Sequence, residues 1–434
     1  MNYTETLNYI HSLGNFKLPA GLQRITAALS ALSRPQNKFE AVHIAGTNGK
    51  GSVSAMLAKI FETAGFKTGL YISPYIIDFR ERIQINGNFI SEEDLIKYSQ
   101  RVKNTGIALS EFEFITAVAF SYFADEKCDI VIAETGLGGR LDATNTLERV
   151  RAAVITKVGL DHSAILGDTA QKIAAEKCGI IKNFPTVISA NQKSAVMSVV
   201  KKYTENYVVP DVSRLKVLKC DGSGTTYIYK EKEYSLSLCG EYQIENSLTA
   251  IEAVSASGFN IPYETVKKAL GATFFPARAE IISRNPLTVL DGAHNPDGAE
   301  ALAEIMKKYG GRITAIIGVM RDKDYETVRN KVLDGVKHYF NDELGRPELL
   351  NRIGNNILVF DYIREDSIEP ILKKQIRNIA TNLWGEKHIR LTVSESAVND
   401  LKEFAKADLP KGQGGRGIGN MVEEMLINPL ARYM

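Results

Sequence analysis

The segment Val42-His43-Ile44-Ala45-Gly46-Thr47-Asn48-Gly49-Lys50-Gly51-Ser52 constrains the fold more than any other stretch, because it joins an apolar strand to a loop suited to cradling phosphate. A helix-forming run, Val53 to Ile60, follows directly. Small residues let backbone N–H groups approach an anion closely, and the helix behind them turns its positive N-terminus toward the charge. Lys50 can reach the outer phosphates and the Ser52 hydroxyl can ligate magnesium. Strand, Gly-Lys-Gly-Ser turn and helix in that order predict a nucleoside triphosphate with its metal as ligand. A chance Gly-rich βα turn is the competing reading.

Strand-like and helix-like stretches alternate along the first three quarters of the chain, the pattern of a parallel sheet covered by helices. Strands are predicted at 41–45, 68–72, 129–133, 152–156 and 186–189. Helices with apolar residues at three- and four-residue spacing are predicted at 91–102, 113–124 and 169–181. The alternating segments 225–229 and 234–238, near Asp221-Gly222-Ser223-Gly224, predict a small antiparallel patch within 217–238. A new α/β unit is expected near Arg284, with a strand at 287–290, a turn at 291–296, a helix from Asp297 and a strand at 313–317. There is no internal repeat, and 411–417 is the one low-complexity stretch.

With 434 residues there is room for roughly two to four domains. The balance of 53 basic against 51 acidic side chains gives no global field for nucleic acid or a membrane surface, so any steering of an anionic substrate must be local. The N-terminus lacks the charged and apolar regions of a leader, and no apolar run approaches membrane-spanning length, so a cytoplasmic location is expected. Cys128, Cys178, Cys220 and Cys239 are scattered, without metal-ligand spacing, and read as reduced thiols.

Several polar clusters fall at the C-terminal ends of the predicted strands, where open α/β sheets bind ligands. Glu134 is placed to hold magnesium beside the phosphate loop, or is simply a strand-end surface acid. The loop Thr135 to Asn145 combines glycines with Arg140 and Asp142 and reads as a substrate-shaping loop. His162, after Gly159-Leu160-Asp161, is either a ligand or a satisfied structural histidine. Lys177, by spacing alone, is a solvated helix lysine.

These residues carry a resemblance. Gly46 to Ser52, Ser73-Pro74-Tyr75, Glu134 to Asn145, Leu160-Asp161-His162, Glu176-Lys177-Cys178-Gly179, Glu245-Asn246, Pro276-Ala277-Arg278 and Asp291 to Pro296 together resemble the folylpolyglutamate synthase/dihydrofolate synthase family of the Mur ligase superfamily, over about residues 1–328. The resemblance implies an α/β protein: a P-loop Mur-ligase-type domain at 1–283 with a parallel sheet, and the beginning of the ligase C-terminal domain at 284–329. It also implies ATP-dependent amide formation, in which a folate or dihydropteroate carboxylate is phosphorylated and L-glutamate attacks the acyl phosphate.

Carried over by the same resemblance, Gly46, Thr47, Asn48, Gly49, Lys50, Gly51 and Ser52 form the ATP phosphate cradle, and Asn246, Arg278 and Asp291 are nucleotide contacts. Ser52, Ser73, Glu134 and His162 match magnesium-associated positions, together with Lys177, which the family carbamylates; a monovalent cation could accompany them. Lys50, Lys177 and His294 are the implied catalytic residues. For folate, the matching positions are Gly21, Leu22 and Gln23, then Phe112, Glu113, Phe114 and Ile115, then Leu141, Asp142 and Ala143. Aromatics there could stack on a pterin, while Phe112 and Phe114 also fit a core reading. Tyr75 and Ala277 depart from the histidine and glycine common in the family. The resemblance also implies a monomer and no nucleic-acid or membrane partner.

From about Asn330 the sequence instead resembles the end of a Clp-type AAA+ ATPase module, a small α+β lid at 330–434. Glu343 to Ile353, Ile357 to Phe360, Gly414 to Ile418 and Ile427 to Ala431 carry this, with Arg352 matching an arginine finger and Arg416 a sensor arginine. Two readings follow: a folate/glutamate ligase with a foreign tail, or a catalytically impaired chimaera that binds ATP and folate and docks on AAA+ rings.

Overall fold

The computed structural model describes residues 1–14, 21–221, 224–307, 317–318, 359–360, 369–370, 372–374, 376–377, 379–380 and 390–408. By contact the chain divides into two units, Met1–Gly310 and Gly311–Met434. In the first unit, strands β1 (Glu40–Ala45), β2 (Thr68–Tyr71), β3 (Ile83–Ile85), β4 (Asn88–Phe89), β5 (Ile130–Glu134), β6 (Val150–Ile155), β7 (Thr186–Ile188) and β8 (Tyr207–Val208) form one sheet, ordered β4-β3-β2-β5-β1-β6-β7-β8. Neighbours from β2 to β8 run parallel, and β3 and β4 add an antiparallel edge. β1 therefore sits in the middle of the parallel region, and the loop after it opens at the carboxyl edge where such sheets bind ligands.

Helices cover both faces: α1 (Tyr3–Leu13), α2 (Gln23–Ala31), α3 (Lys50–Thr63), α4 (Glu92–Lys103), α5 (Glu111–Asp125), α6 (Ser163–Leu166), α7 (Ala170–Cys178), α8 (Ser194–Tyr203), α9 (Glu241–Ala256), α10 (Tyr263–Ala272) and α11 (Pro296–Lys307). Because strand side chains alternate between faces, β5 divides its residues between two cores. Val131 and Ala133 pack with Phe120 and Phe123 of α5, while Ile130 and Ile132 pack with Met56 and Leu57 of α3 and Leu248 of α9. A third cluster joins Ile155 and Ile188 to Ile173 of α7 and Val196 of α8. Local signals start the helices where expected: Ser110 and Glu113 form a capping box at α5, and Ser91 and Thr169 cap α4 and α7.

The predicted antiparallel patch is β9 (Leu215–Asp221), β10 (Gly224–Tyr229) and β11 (Lys232–Leu236), ordered β11-β10-β9. Its tyrosines dock on α9, Tyr227 Oη lying 2.6 Å from Ser247 Oγ and Tyr229 Oη donating to Glu252 Oε1 at 2.7 Å. The strand expected at 287–290 is β13 (Leu287–Leu290), paired antiparallel with β12 (Glu280–Arg284), and α11 follows as expected. Both lie with the first unit.

In the second unit, β14 (Ile317–Gly318) pairs in parallel with β15 (Val359–Phe360), and α12 spans Glu395–Asp408. That ladder joins the end of the strand expected at 313–317 to the segment 357–360 that resembled the AAA+ module. The remaining segments of that resemblance, 343–353, 414–418 and 427–431, and the low-complexity stretch at 411–417, lie outside the described residues. Among the described residues no helix is long and apolar enough to cross a membrane.

Candidate active site

The β1–α3 loop is a tight glycine-rich turn from strand into helix. Gly49 caps α3 at φ 90°, a left-handed conformation costly for any residue with a Cβ, and a Cβ there would also strike Asn246 Oδ1. The loop is held from β6's side: Thr47 N and Asn48 N donate to Lys157 O at 2.9 and 3.1 Å, and Thr47 Oγ1 and the Gly159 backbone exchange bonds of 3.1 Å. Ser52, in the first turn of α3, is buried, and Gln243 Nε2 donates to its hydroxyl at 3.3 Å. Gln243 in turn accepts from Asn246 Nδ2 at 2.9 Å, so α9 braces both the loop and the helix.

As a lysine that reaches the outer phosphates, Lys50 is expected to be exposed in the loop. Its side chain is instead only 17% exposed, with Nζ 3.3 Å from Thr47 O and 3.8 Å from Glu134 Oε1. Glu134 ends β5 and is buried, which corrects the surface-acid reading. Burial pushes its carboxyl up from the usual range, opposed by Lys50, by the Ser73 N–H donating to Oε2 at 3.3 Å, and by Arg278. Ser73 precedes Pro74 through a cis peptide.

Lys177 overturns the solvated-helix expectation. It is 4% exposed and donates from Nζ to Gly46 O at 2.7 Å. Burial, with the nearby Lys50 charge, lowers its pKa to about 7. The helix dipole offers no such effect; desolvation of the ammonium is the main cause.

Across the cavity, Asp161 organises the histidines. Its Oδ1 accepts the His162 N–H at 2.8 Å, and its Oδ2 lies 3.6 Å from His294 Nε2 and 3.4 Å from Asn295 Nδ2. Asn295 also donates to Asn48 Oδ1 at 2.9 Å, tying the 291–296 turn to the phosphate loop. Asp291 accepts from Ala279 N and Ala293 N at 2.7 Å each, and Arg278 donates to Ala277 O while lying over the Phe275 ring. Phosphate loop, Ser73, Glu134, His162, Lys177, Asn246, Arg278, Asp291 and His294 thus all line one cavity of about 270 Å³. The sequence motifs include Asp161 and Asn295 without giving them a role and do not include Gln243 or Tyr242, and all four stand there or brace it. Gln243 lies three residues before Asn246 on one helical face, the signal that was available.

None of the folate positions lines that cavity. Phe114 and Ile115 are sealed in the core, at 2% and 1% exposure, with Phe114 edge-on to Tyr9, so neither side chain can meet a ligand. Glu113 completes the α5 capping box with Ser110 and pairs with Arg24 at 3.1 Å. Phe112 packs against Gly136, where a Cβ would meet its ring, and lies 5.9 Å from Tyr71. Asp142 and Ala143 are buried, and Leu141, Gly21, Leu22 and Gln23 remain accessible to solvent.

For magnesium, the donor set is one buried carboxylate with serine hydroxyls. Hard oxygens of this kind suit an ion shared with substrate phosphates better than an all-protein cage. Among the described residues no three His, Cys, Asp or Glu side chains form a group that could hold a metal ion by themselves.

Residues 44–254 match the Mur ligase middle domain, and residues 277–364 match the Mur ligase glutamate ligase domain. A folylpolyglutamate synthase of Lacticaseibacillus casei is 34% identical over 362 residues, covering 76% of this chain and 83% of that protein. The chain belongs to the folylpolyglutamate synthase/dihydrofolate synthase family. A dihydrofolate synthase/folylpolyglutamate synthase of Bacillus subtilis is 35% identical over 363 residues, covering 77% and 84% of the two chains. A folylpolyglutamate synthase solved with AMPPCP and folate superposes with a TM-score of 0.73 at 32% identity, covering 83% of this chain and 96% of that one. The glutamate ligase domain match runs past the break expected at about 330, and the AAA+ resemblance finds no support in these likenesses.

Proposed function

We propose that this synthase-family chain is an ATP-dependent carbon–nitrogen ligase that adds L-glutamate to a folate or dihydropteroate carboxylate. The observation that carries the reading is the convergence of Lys50, Glu134 and Lys177 with Asp161, His294 and Asn295 around the mouth of one phosphate loop. A substrate carboxylate oxygen attacks the γ-phosphorus of ATP, giving an acyl phosphate and ADP. The glutamate amine then attacks the acyl carbon, phosphate leaves, and the amine gives up its extra proton.

Lys50 and the α3 N-terminus stabilise charge on the transferring group. His294 and Asp161 face the same space and can receive the amine proton. Ser52, Ser73, Glu134, His162 and Lys177 as its carbamate are the residues that would hold magnesium, which supplies neutralisation of phosphate charge when bound. A neutral buried amine adds to carbon dioxide readily, and the carbamate oxygens then replace a repelling ammonium. Arg278, Asn246 and Asp291 contact the nucleotide; Leu141, Asp142, Gln23 and Phe112 border the folate path. A monovalent cation and a monomeric state rest on family resemblance.

The division into 1–283, 284–329 and 330–434 is carried by motif order, and the protein is placed in the cytoplasm. An impaired chimaera docking on AAA+ rings is the alternative, supported by the motifs after 330. The ligase reading is preferred because the ATP-site residues of the first unit are assembled. The test is phosphate release by the full chain with ATP, glutamate and a pteroate or folate. Release that requires both co-substrates supports the ligase; ATP and folate binding without release supports the chimaera.

A further inference from the structure

His43 lies mid-strand in β1, fully buried, on the sheet face that carries Ala41. Its in-register neighbours are Ala133 on β5 and Ala153 on β6, small residues that leave room for a ring. A polar ring in that position costs desolvation unless it is hydrogen-bonded. Its Nε2 lies 2.8 Å from Thr144 Oγ1, and Thr144 Oγ1 donates to Asp142 Oδ1 at 2.5 Å.

The direction of this chain of bonds follows from counting protons. Asp142 accepts Thr144 N at 3.0 Å on one oxygen and Gly136 N and Leu137 N at 2.9 Å each on the other. Backbone N–H groups can only donate, so three of its four bonds require acceptor oxygens. With Asp142 as the carboxylate, the fourth donor is the Thr144 hydroxyl, which gives its one proton to Asp142 and has none left for the imidazole. Burial, with Lys182 nearby, pushes His43 down to about 3, so the ring is neutral and must present its proton on Nε2.

We propose that His43 is a positioning residue: an Nε2–H donor that locks Thr144 and, through it, Asp142 and the substrate-shaping loop 135–145. The proposal rests on the functional reading above for what that loop shapes. The loop also brackets α7. Arg140 N donates to Glu176 O at 2.8 Å and Asn145 Nδ2 donates to Gly179 O at 3.1 Å, on either side of Lys177. Its first residues, Thr135 to Gly138, line the cavity itself. A side chain inside the sheet thereby fixes a loop at its edge, and nothing else in β1 offers a donor on that face.

The test uses the full chain and four variants, His43→Leu, Thr144→Val, the double variant of these two, and Thr144→Ser. His43→Leu and Thr144→Val are expected to raise KM for the pteroate or folate substrate at least fivefold, with KM for ATP and kcat within twofold. The double variant should be no worse than either single one, and Thr144→Ser, which keeps the hydroxyl, should behave as the parent. Nitrogen-15 NMR of labelled histidine should show the His43 proton on Nε2 at neutral pH in the parent. A proton on Nδ1, additive effects of the two substitutions, or an unchanged folate KM in Thr144→Val would each overturn the proposal. If His43→Leu does not fold, Thr144→Val and the tautomer still decide it. A parent protein with no folate-dependent turnover would defeat the functional reading, and the tautomer would still test the relay.

Discussion

Lys177 Nζ donates to the Gly46 carbonyl at 2.7 Å, which ties a buried amine on α7 to the first residue of the phosphate loop. The two residues are 131 positions apart, and the contact places the amine beside the loop rather than in solvent. Carbamate forms only from the neutral amine. An ordinary lysine is neutral at about one part in several thousand at pH 7, whereas one lowered to about 7 is half neutral there. With carbon-13 bicarbonate at fixed dissolved carbon dioxide, a carbamate resonance should rise with pH through about 7 and vanish in Lys177→Ala. The same variant should lose activity that small carboxylates partly restore. A rise centred near pH 10 would mean that burial does not set this amine.

Lys50→Ala should lower ATP turnover at least a hundredfold, about 3 kcal/mol of transition-state stabilisation, with an unchanged far-UV circular dichroism spectrum. Lys50 Nζ bonds Thr47 O and lies 3.8 Å from Glu134 Oε1, so the variant removes a positive charge from the loop. Turnover within a few-fold of the parent would remove Lys50 from the phosphate site.

Glu134→Gln separates stability from function. Burial holds the Glu134 carboxyl above its usual range, so the folded state binds a proton more readily than the unfolded one. Stability is therefore lost as pH rises from the unfolded value through the folded one, and Gln removes that loss. The variant should melt higher at neutral pH, and the gain should disappear below about pH 4. Its ATP turnover should fall at least tenfold. A lower melting temperature at pH 7 would show that the Lys50 pair outweighs desolvation.

Ala277 sits at φ 53°, in the left-handed region, beside Arg278 and Ala279 at φ 49°. Such a conformation costs roughly 1 kcal/mol for a residue with a Cβ. Ala277→Gly should raise the unfolding free energy in urea titration by less than that, about a few tenths of a kcal/mol, because the flexibility of glycine in the unfolded chain takes back part of the gain. No gain would mean the turn relaxes without strain.

Most of the fold could be read locally. The strand expected at 41–45 is Glu40–Ala45, and the helix expected at 113–124 is Glu111–Asp125, because apolar periodicity and a capping box mark them within the segment itself. The site was legible where glycines and a lysine announce a phosphate loop. It was not legible where the deciding contact is distant. Gln243 meets Ser52 across 191 residues, Asn295 meets Asn48 across 247, and Lys177 is buried by elements that its own helix does not reveal. Phe114 shows the converse: the resemblance offered it to a ligand, and the core reading kept beside it is the one that α5 bears out.

The central claim is that a substrate carboxylate is phosphorylated before glutamate attacks. It is tested most directly by giving the full chain ATP, L-glutamate and a pteroate or folate whose reacting carboxylate carries oxygen-18, then weighing the released phosphate. An acyl phosphate intermediate predicts one oxygen-18 atom per phosphate, with ADP as the other product. Label appearing in AMP, or phosphate released without label, would contradict it.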